Sequence, residues 1–270
     1  MRKDYVAVDD AALETDDTRF VEQYWSAVWK DHEQPPDLSN MAQRDEFRIM
    51  RPYLAELPRG SRILDGGCGL GEWTVFLSQQ GFEMVGMDLD ANVVRKLHDW
   101  FPACHFVRGD IRDTGFDAGS FDAYFSWGVF EHFERGLGDC LKEAHRILRP
   151  GGWLFISVPF HNWRHTLRDS RRLDRWDSAF DPRDGYRQAQ RFYQWRLTRP
   201  ELQRELELHG FKTAEVTPVH KLTGVGRWLQ WDLRLFRKNS QAYYAARRAA
   251  AALIPATYIS HMILAVGHRR

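Results

Sequence analysis

Short apolar runs alternate with amphipathic segments along most of the chain. Runs with apolar residues at consecutive or alternate positions predict strands, and apolar residues three and four apart predict helices. The predicted strands lie near 62–66, 83–88, 104–108, 121–125, 152–158, 211–216 and 258–266. The predicted helices lie near 18–30, 41–57, 72–80, 93–100, 141–149 and 200–209. This alternation predicts an α/β fold, a doubly wound and mostly parallel sheet of seven strands with helical insertions.

The most specific motif is a glycine-rich turn after the first of these strands. Gly67, Gly69 and Gly71 follow Asp65 in the pattern D-x-G-x-G-x-G. Glycine adopts positive φ and lets a ligand approach the main chain, and the N-terminus of the next helix favours an anionic group. The dinucleotide fingerprint would need glycine at the position of Glu72. The turn therefore predicts a nucleoside-bearing ligand other than a dinucleotide.

Acidic residues also end the next two strands. Asp88 lies 23 residues after Asp65, where the acid of nucleotide-binding α/β folds accepts hydrogen bonds from the ribose hydroxyls. Capping of the helix that begins near Val93 is the alternative role for Asp88. Asp110 ends the third strand and is followed by Ile111. Ligands of such sheets bind outside the carboxyl ends of the strands, so these residues are expected to face one site.

These motifs resemble those of the class I S-adenosylmethionine-dependent methyltransferases. Over about residues 45–160 the chain is similar to the small-molecule subgroup called methyltransferase type 11, and the resemblance implies a Rossmann-like methyltransferase sheet with S-adenosylmethionine as cofactor. It also implies that Asp88 binds the ribose, that Asp110 meets the adenine amino group and that Ile111 packs on the ring. The expected cofactor-binding residues are Asp65, Gly67, Gly69, Gly71, Asp88, Leu89, Asp110, Ile111 and Trp127.

Segments outside this core are expected to select the methyl acceptor. Residues 1–44 are interpreted as a helical lid segment and 45–270 as the methyltransferase domain. Insertions at about 160–197 and 218–256 are expected to form a substrate cap, and the first is rich in arginine. The expected substrate-pocket residues are Tyr24, Trp25, Trp29 and His161.

Two apolar segments near the end of the chain raise the question of a membrane. Residues 227–238 predict an aromatic, basic, amphipathic helix that either covers the substrate pocket or lies at a membrane interface. Residues 249–267 are apolar over about the length of a membrane span, but Pro255 and several polar residues interrupt them. We therefore interpret 249–267 as a helix end followed by the last strand.

Composition is that of an ordinary globular enzyme, with 43% apolar and 28% charged residues. Residues 1–160 carry 17 basic and 27 acidic side chains, whereas 161–270 carry 21 and 10. A basic substrate half favours an anionic partner, although attraction between the two halves explains the asymmetry equally well. The three cysteines lack paired or metal-like spacing, so no metal site is predicted. With no secretory signal at the first residues, a cytoplasmic location is expected.

A hydroxyl acceptor needs a proton acceptor near the transferred methyl group. His132, after the fourth strand, is the candidate, although Glu131-His132 is common in the subgroup and has the alternative role of shaping the loop. His161, His165 and Tyr193 are further candidates.

The sequence thus predicts methyl transfer to a small-molecule or lipid-linked acceptor, more readily at oxygen than at nitrogen. Nucleic acid is disfavoured because the Asn/Asp-Pro-Pro-aromatic motif is replaced by Ser126-Trp127-Gly128-Val129, and neither Cys104 nor Cys140 follows proline. An RNA or protein methyltransferase and a non-catalytic nucleotide-binding scaffold are the alternatives. The sequence does not indicate the oligomeric state.

Overall fold

A computed structural model describes residues 1–8, 15–172, 180–181, 185–186, 189–236 and 240–270. Its strands are β1 (Arg2–Val8), β2 (Arg62–Gly66), β3 (Glu83–Asp88), β4 (His105–Arg108), β5 (Phe121–Trp127), β6 (Leu148–Pro159), β7 (Phe180–Asp181), β8 (Gly185–Tyr186), β9 (Ala189–Arg196), β10 (Phe211–Val219) and β11 (Met262–Arg269). Its α-helices are α1 (Asp17–Trp29), α2 (Asp45–Leu54), α3 (Glu72–Gln79), α4 (Ala91–Trp100), α5 (Gly138–Ile147), α6 (Trp163–Arg172), α7 (Arg199–Leu208), α8 (Lys221–Arg227), α9 (Gln241–Leu253) and α10 (Ala256–Ile259).

The central sheet of the described residues has seven strands in the order β10-β11-β6-β5-β2-β3-β4. Neighbouring strands from β6 to β4 are parallel, and β11 is antiparallel to both of its neighbours. The doubly wound, mostly parallel, seven-stranded sheet is therefore confirmed. Because the parallel strands share a direction, their carboxyl ends meet along one edge, where such sheets bind ligands.

Helices cover both faces of this sheet, because successive residues of a strand point to opposite faces. Leu64 and Tyr124 pack with α5 and α7 on one face. Their neighbours Ile63 and Phe125 pack with α2 and α3 on the other face. All four side chains are fully buried, so each strand contributes to two hydrophobic layers, as the near-continuous apolar runs indicate.

The prediction of one continuous helix over 41–57 is wrong. Residues Met41–Gln43 form a single 3₁₀ turn, and α2 begins only at Asp45. Arg44 between them is extended, with φ −64° and ψ 144°. Its guanidinium donates two hydrogen bonds to the Glu72 carboxylate, at 2.7 and 2.9 Å. This ion pair attaches the break to the first turn of α3.

The last strand begins later than its predicted start at residue 258. Residues Ala256–Ile259 form the short helix α10, and β11 starts at Met262. Pro255 precedes this helix with φ −62°, a value that suits helix initiation. Apolar periodicity alone does not separate a buried helical turn from a buried strand, which explains the error.

The N-terminal segment contains a strand that its pattern does not predict. β1 pairs antiparallel with β9 over Arg2–Val8 and Ala189–Arg196. The segment 1–44 is therefore not wholly helical, and within the described residues its helix is α1. β1 also joins the start of the chain to residues 189–196 of the first insertion through main-chain hydrogen bonds.

The predicted helix at 227–238 is wrong beyond Asp232. Helix α8 ends at Arg227, a π-helical turn covers Trp228–Asp232, and residues 233–236 are irregular. Residues 237 and 238, like Arg175, Arg183 and Arg187 of the first insertion, lie outside the described residues. In the part of the chain that the structure describes, no helix combines the length and apolarity needed to cross a bilayer.

Candidate active site

A cleft opens at the carboxyl ends of β2, β3, β4 and β5 and encloses about 820 Å³ of empty space, part of it open to solvent. Residues at the edge of the sheet and two tryptophans of α1 line it. The expected site residues in its lining are Trp25, Trp29, Gly67, Gly69, Asp88, Leu89, Asp110, Ile111 and Trp127. The lining also contains Val21, Glu22, Asp90, Gly109, Gly128, Val129 and Phe133.

The glycine turn forms the floor of this cleft. Gly67, Gly69 and Gly71 have φ values of 76°, 51° and 74°, in the left-handed region. The Gly67 and Cys68 amides donate to the Met87 carbonyl at 2.8 and 2.9 Å, which fixes the turn to the end of β3. Gly71 is the residue before α3, and a Cβ there would lie 2.8 Å from Leu97 Cδ2. Gly71 is therefore outside the lining, and its missing side chain allows close packing between the turn and α4.

Asp88 lies in the lining with its carboxylate held by main-chain amides. Oδ2 accepts from the Gly69 amide at 2.9 Å, and Oδ1 accepts from the Asp90 amide at 3.0 Å. Burial raises the pKa of Asp88 to about 6. The hydrogen bonds from these amides have the opposite, smaller effect, because they favour the ionised form. The carboxylate is thus ionised at neutral pH, and each oxygen keeps a lone pair for a ligand hydroxyl.

Asp65 lies beneath the turn and outside the lining. Its carboxylate is 2% exposed and accepts from Thr74 Oγ1 at 2.7 Å. Burial raises the pKa of Asp65 to about 7. This carboxylate links β2 to α3 below the glycines, so its contact with the cofactor stays a prediction.

Asp110 faces the cleft but is already engaged by Arg112. The guanidinium Nε lies 3.0 Å from Oδ1 and Nη2 lies 2.6 Å from Oδ2. Arg112 Nη2 also donates to Thr18 Oγ1 at 2.5 Å. The ion pair therefore fixes the Asp110 carboxylate and connects it to the start of α1. Sequence reasoning missed Arg112, although its position two residues after Asp110 permits this two-point contact between guanidinium and carboxylate.

Helix α1 forms a wall over the cleft. Lys96 Nζ donates to the carbonyls of Lys30 and His32 at 3.1 and 3.0 Å, just beyond the end of α1. Glu22 accepts from Arg108 Nη2 at 3.0 Å. A Cβ at Gly69 would lie 3.3 Å from the Trp29 ring. The structure thus places Trp29 against the glycine turn.

The four expected substrate-pocket residues do not share one place. Trp25 and Trp29 line the cleft, with ring centroids 5.8 Å apart. Tyr24 packs on Tyr193, with centroids 5.0 Å apart. His161 Nδ1 lies 3.3 Å from Arg196 Nη1, beside a second cavity described below.

Glu131 and His132 are buried after β5, at 1% and 5% exposure. Glu131 Oε1 lies 4.0 Å from His132 Nε2, and Glu131 Oε2 has no hydrogen-bond partner among the described residues. Burial raises the pKa of Glu131 to about 8 and lowers that of His132 to about 4. Hydrogen bonds of the His132 ring to the Tyr193 and Gly128 carbonyls raise its pKa but do not offset burial. At neutral pH both groups are therefore uncharged.

A second cavity lies at the carboxyl end of β6, the strand next to β5. Asn162, Gln194, Arg196, Arg227 and His261 are among the residues that line it. His132 Nδ1 lies 2.8 Å from the carbonyl of Tyr193, the residue before Gln194. On the other side, the His132 ring packs on Trp25 of the cleft lining, with centroids 5.2 Å apart. Glu131, His132 and Tyr193 thus form a buried group between residues of the two linings.

The seven-stranded sheet with a cleft at its carboxyl edge is an architecture of the nucleoside-binding α/β class. The family described as a methyltransferase domain matches residues 41–216, and the chain belongs to that family. This match and the seven-stranded sheet assign the chain to the class I S-adenosylmethionine-dependent methyltransferase family.

Individual relatives agree with this assignment. An uncharacterized methyltransferase of Synechocystis sp. is 33% identical over 46% of this chain and 60% of its own length. A malonyl-[acyl-carrier protein] O-methyltransferase of Enterobacter lignolyticus is 33% identical over 39% of this chain and 42% of its own length. The chain thus spans about half the length of these curated relatives.

A solved structure shows the same fold at low sequence identity. Geranyl diphosphate C-methyltransferase from Streptomyces coelicolor, in complex with S-adenosyl-L-homocysteine, has a TM-score of 0.58. It is 14% identical, and the match covers 95% of this chain and 99% of that one.

The lining fits S-adenosylmethionine. An ionised Asp88 suits a pair of ribose hydroxyls, and the apolar Leu89 and Ile111 suit the faces of a purine. Trp127 is also in the lining, and its indole N–H is buried without a hydrogen-bond partner in the described part of the chain.

Proposed function

We propose that this enzyme transfers a methyl group to an oxygen atom of a small-molecule or lipid-linked acceptor. The observation that carries the proposal is the position of Glu131, His132 and Tyr193 between residues that line the cleft and residues that line the second cavity. Bound S-adenosylmethionine would supply an electrophilic methyl group on a sulfonium. An acceptor in the second cavity would then approach that methyl group from beside these three residues.

Positioning and exclusion of water are the main contributions of the chain's own residues to such a displacement. Trp25 and Trp29 cover the cleft, and Tyr193 packs on His132 with ring centroids 5.0 Å apart. His132 is the candidate proton acceptor for a hydroxyl. Its ring is neutral at pH 7, and the burial that lowers its pKa to about 4 makes it a weak base. A carboxylate acceptor, such as the relative's malonyl group implies, would be ionised already and would need no base.

Exposed apolar side chains in and just after the π-helical turn support a lipid-linked acceptor. Trp231 lines the second cavity and is 63% exposed, and Leu235, four residues later in the chain, is 61% exposed. An acceptor with an apolar chain would bury part of this surface. Such side chains would also serve peripheral contact with a membrane, as proposed for residues 227–238.

A methyl-transfer screen tests this function. The purified protein and labelled S-adenosylmethionine are incubated with small-molecule, lipid, RNA and protein fractions, with Asp88→Ala as the inactive control. We expect the labelled methyl group in the small-molecule or lipid fraction, bound as a methyl ester or a methyl ether. Label confined to the RNA or protein fraction would instead support one of the alternative acceptor classes and contradict the proposal.

A further inference from the structure

The second cavity is rich in arginine. Arg164, Arg196 and Arg227 line it together with His261 and Trp231. These residues come from α6, β9, α8, the π-helical turn and the segment before β11. Arg164 and Arg196 are 7% and 8% exposed. Arg227 is half-buried. Taking a guanidinium group out of water is costly unless it is paired with an anion.

Two of the three arginines have such partners. Arg164 Nη2 donates to Asp232 Oδ1 at 3.1 Å. Arg196 Nε donates to Asp4 Oδ1 at 2.9 Å, and its Nη2 lies 3.4 Å from Asp169 Oδ2. The charges of Arg164 and Arg196 are therefore compensated within the protein.

Arg227 has no carboxylate partner among the described residues. Its Nη1 lies 3.0 Å from His261 Nδ1, and its guanidinium carbon lies 5.2 Å from the centroid of the Trp231 ring. Burial and the nearby Arg227 lower the pKa of His261 to about 3, so this imidazole is neutral. A neutral ring that accepts at Nδ1 carries its proton on Nε2 and is a donor there.

We propose that this cavity binds a compact oxyanion, a phosphate or carboxylate group, on the methyl acceptor. Arg227 is its main contact, because the planar guanidinium donates two parallel hydrogen bonds to such a group. His261 Nε2–H is an additional donor. The bound anion supplies the counter-charge that Arg227 lacks within the described residues.

This inference rests on the proposed function, since it makes the cavity part of the acceptor site. Tyr193, which contacts His132 through its carbonyl, directly precedes Gln194 of the cavity lining. An anion on Arg227 would thus hold the acceptor while another part of the same molecule reaches the cleft. The uncompensated charge of this cavity, rather than the overall basic charge of residues 161–270, sets the preference for an anionic acceptor.

Anion binding by the full chain tests the proposal without any methyl acceptor. Wild type, Arg227→Gln and Arg204→Gln are titrated in separate series with inorganic phosphate and with acetate, against potassium chloride at matched ionic strength. Ligand-induced change in thermal stability gives the affinity. Arg204 is an exposed arginine on α7, so Arg204→Gln controls for the loss of one positive charge. The two series distinguish a phosphate site from a carboxylate site.

We expect one of the two anions to bind wild type and Arg204→Gln with equal affinity. Arg227→Gln should bind that anion at least about tenfold more weakly, because hydrogen bonds to charged groups contribute about 1.5–3 kcal/mol. Arg227→Lys keeps the positive charge but loses the two parallel guanidinium donors, so its affinity should lie between those of wild type and Arg227→Gln. Equal stabilisation of wild type by both anions and by chloride would overturn the proposal, and so would equal affinity of Arg227→Gln and wild type.

Calorimetry with S-adenosylhomocysteine separates this proposal from the function on which it rests. Arg227→Gln should bind that ligand as wild type does, which also shows that the variant is folded. Loss of both ligands in Arg227→Gln and Arg227→Lys would mean that Arg227 is required for folding rather than for anion binding, and would overturn the assignment. Failure of the methyl-transfer screen with intact anion binding would count against the proposed function alone.

Discussion

Replacement of Asp88 by alanine should lower the affinity for S-adenosylhomocysteine by about a hundredfold. The reason is that the carboxylate is the expected acceptor for two ribose hydroxyls, and hydrogen bonds to a charged group contribute about 1.5–3 kcal/mol each. The same carboxylate accepts from the Gly69 and Asp90 amides. Its removal would therefore also loosen the glycine turn. Titration calorimetry measures the loss.

Asp99→Ala is the matched control, because Asp99 is an exposed acid on α4 and its removal should leave the affinity unchanged. The pH dependence adds a second check. Burial raises the pKa of Asp88 to about 6, so wild-type affinity should fall as the pH drops through that value and the carboxylate becomes protonated. Asp88→Ala should lack this dependence. An affinity of Asp88→Ala within threefold of wild type would refute the ribose contact.

Gly224→Ala should destabilise the fold by about 1–3 kcal/mol, the usual cost of overpacking. A Cβ at Gly224 would lie 1.8 Å from the Ile259 carbonyl oxygen and 2.8 Å from its carbonyl carbon. Because both are backbone atoms, α8 and α10 would have to move apart. Alanine gains about 1 kcal/mol in helix propensity over glycine, which is too little to offset that clash.

Thermal or urea unfolding measures this change in the free energy of unfolding. Thr223→Ala, at the exposed neighbouring position of the same helix, should stay within about 0.5 kcal/mol of wild type. Gly224 also lines the second cavity, so weaker phosphate or acetate binding should accompany the loss of stability. A Gly224→Ala protein as stable as wild type would mean that α8 does not pack this closely on the segment before β11.

The central sheet was predictable because its signals are local. Each strand is a short apolar run, and the acid or glycine at its carboxyl end follows directly in sequence, as at Asp65 and Asp88. The boundary errors at Arg44 and Met262 arose where an ion pair or a proline interrupted a segment with continuous apolar character.

The second cavity was not predictable, because its residues come from distant parts of the chain. Asp4 pairs with Arg196 across 192 positions, and Arg227 meets His261 across 34. Single-sequence patterns report local periodicity and carry little information on such pairings. The charge asymmetry of the two halves is explained equally well by an anionic partner and by attraction between the halves. Only the packed structure shows which arginine of this cavity lacks a counter-charge among the described residues.

A crystal structure of the wild-type enzyme with S-adenosylhomocysteine is the most direct measurement of where the cofactor binds. We expect the ribose hydroxyls within hydrogen-bonding distance of Asp88, the adenine beside Ile111 and the sulfur directed towards the group formed by Glu131, His132 and Tyr193. A complex in which the nucleoside lies outside this cleft, with Asp88 making no contact to it, would contradict the assignment.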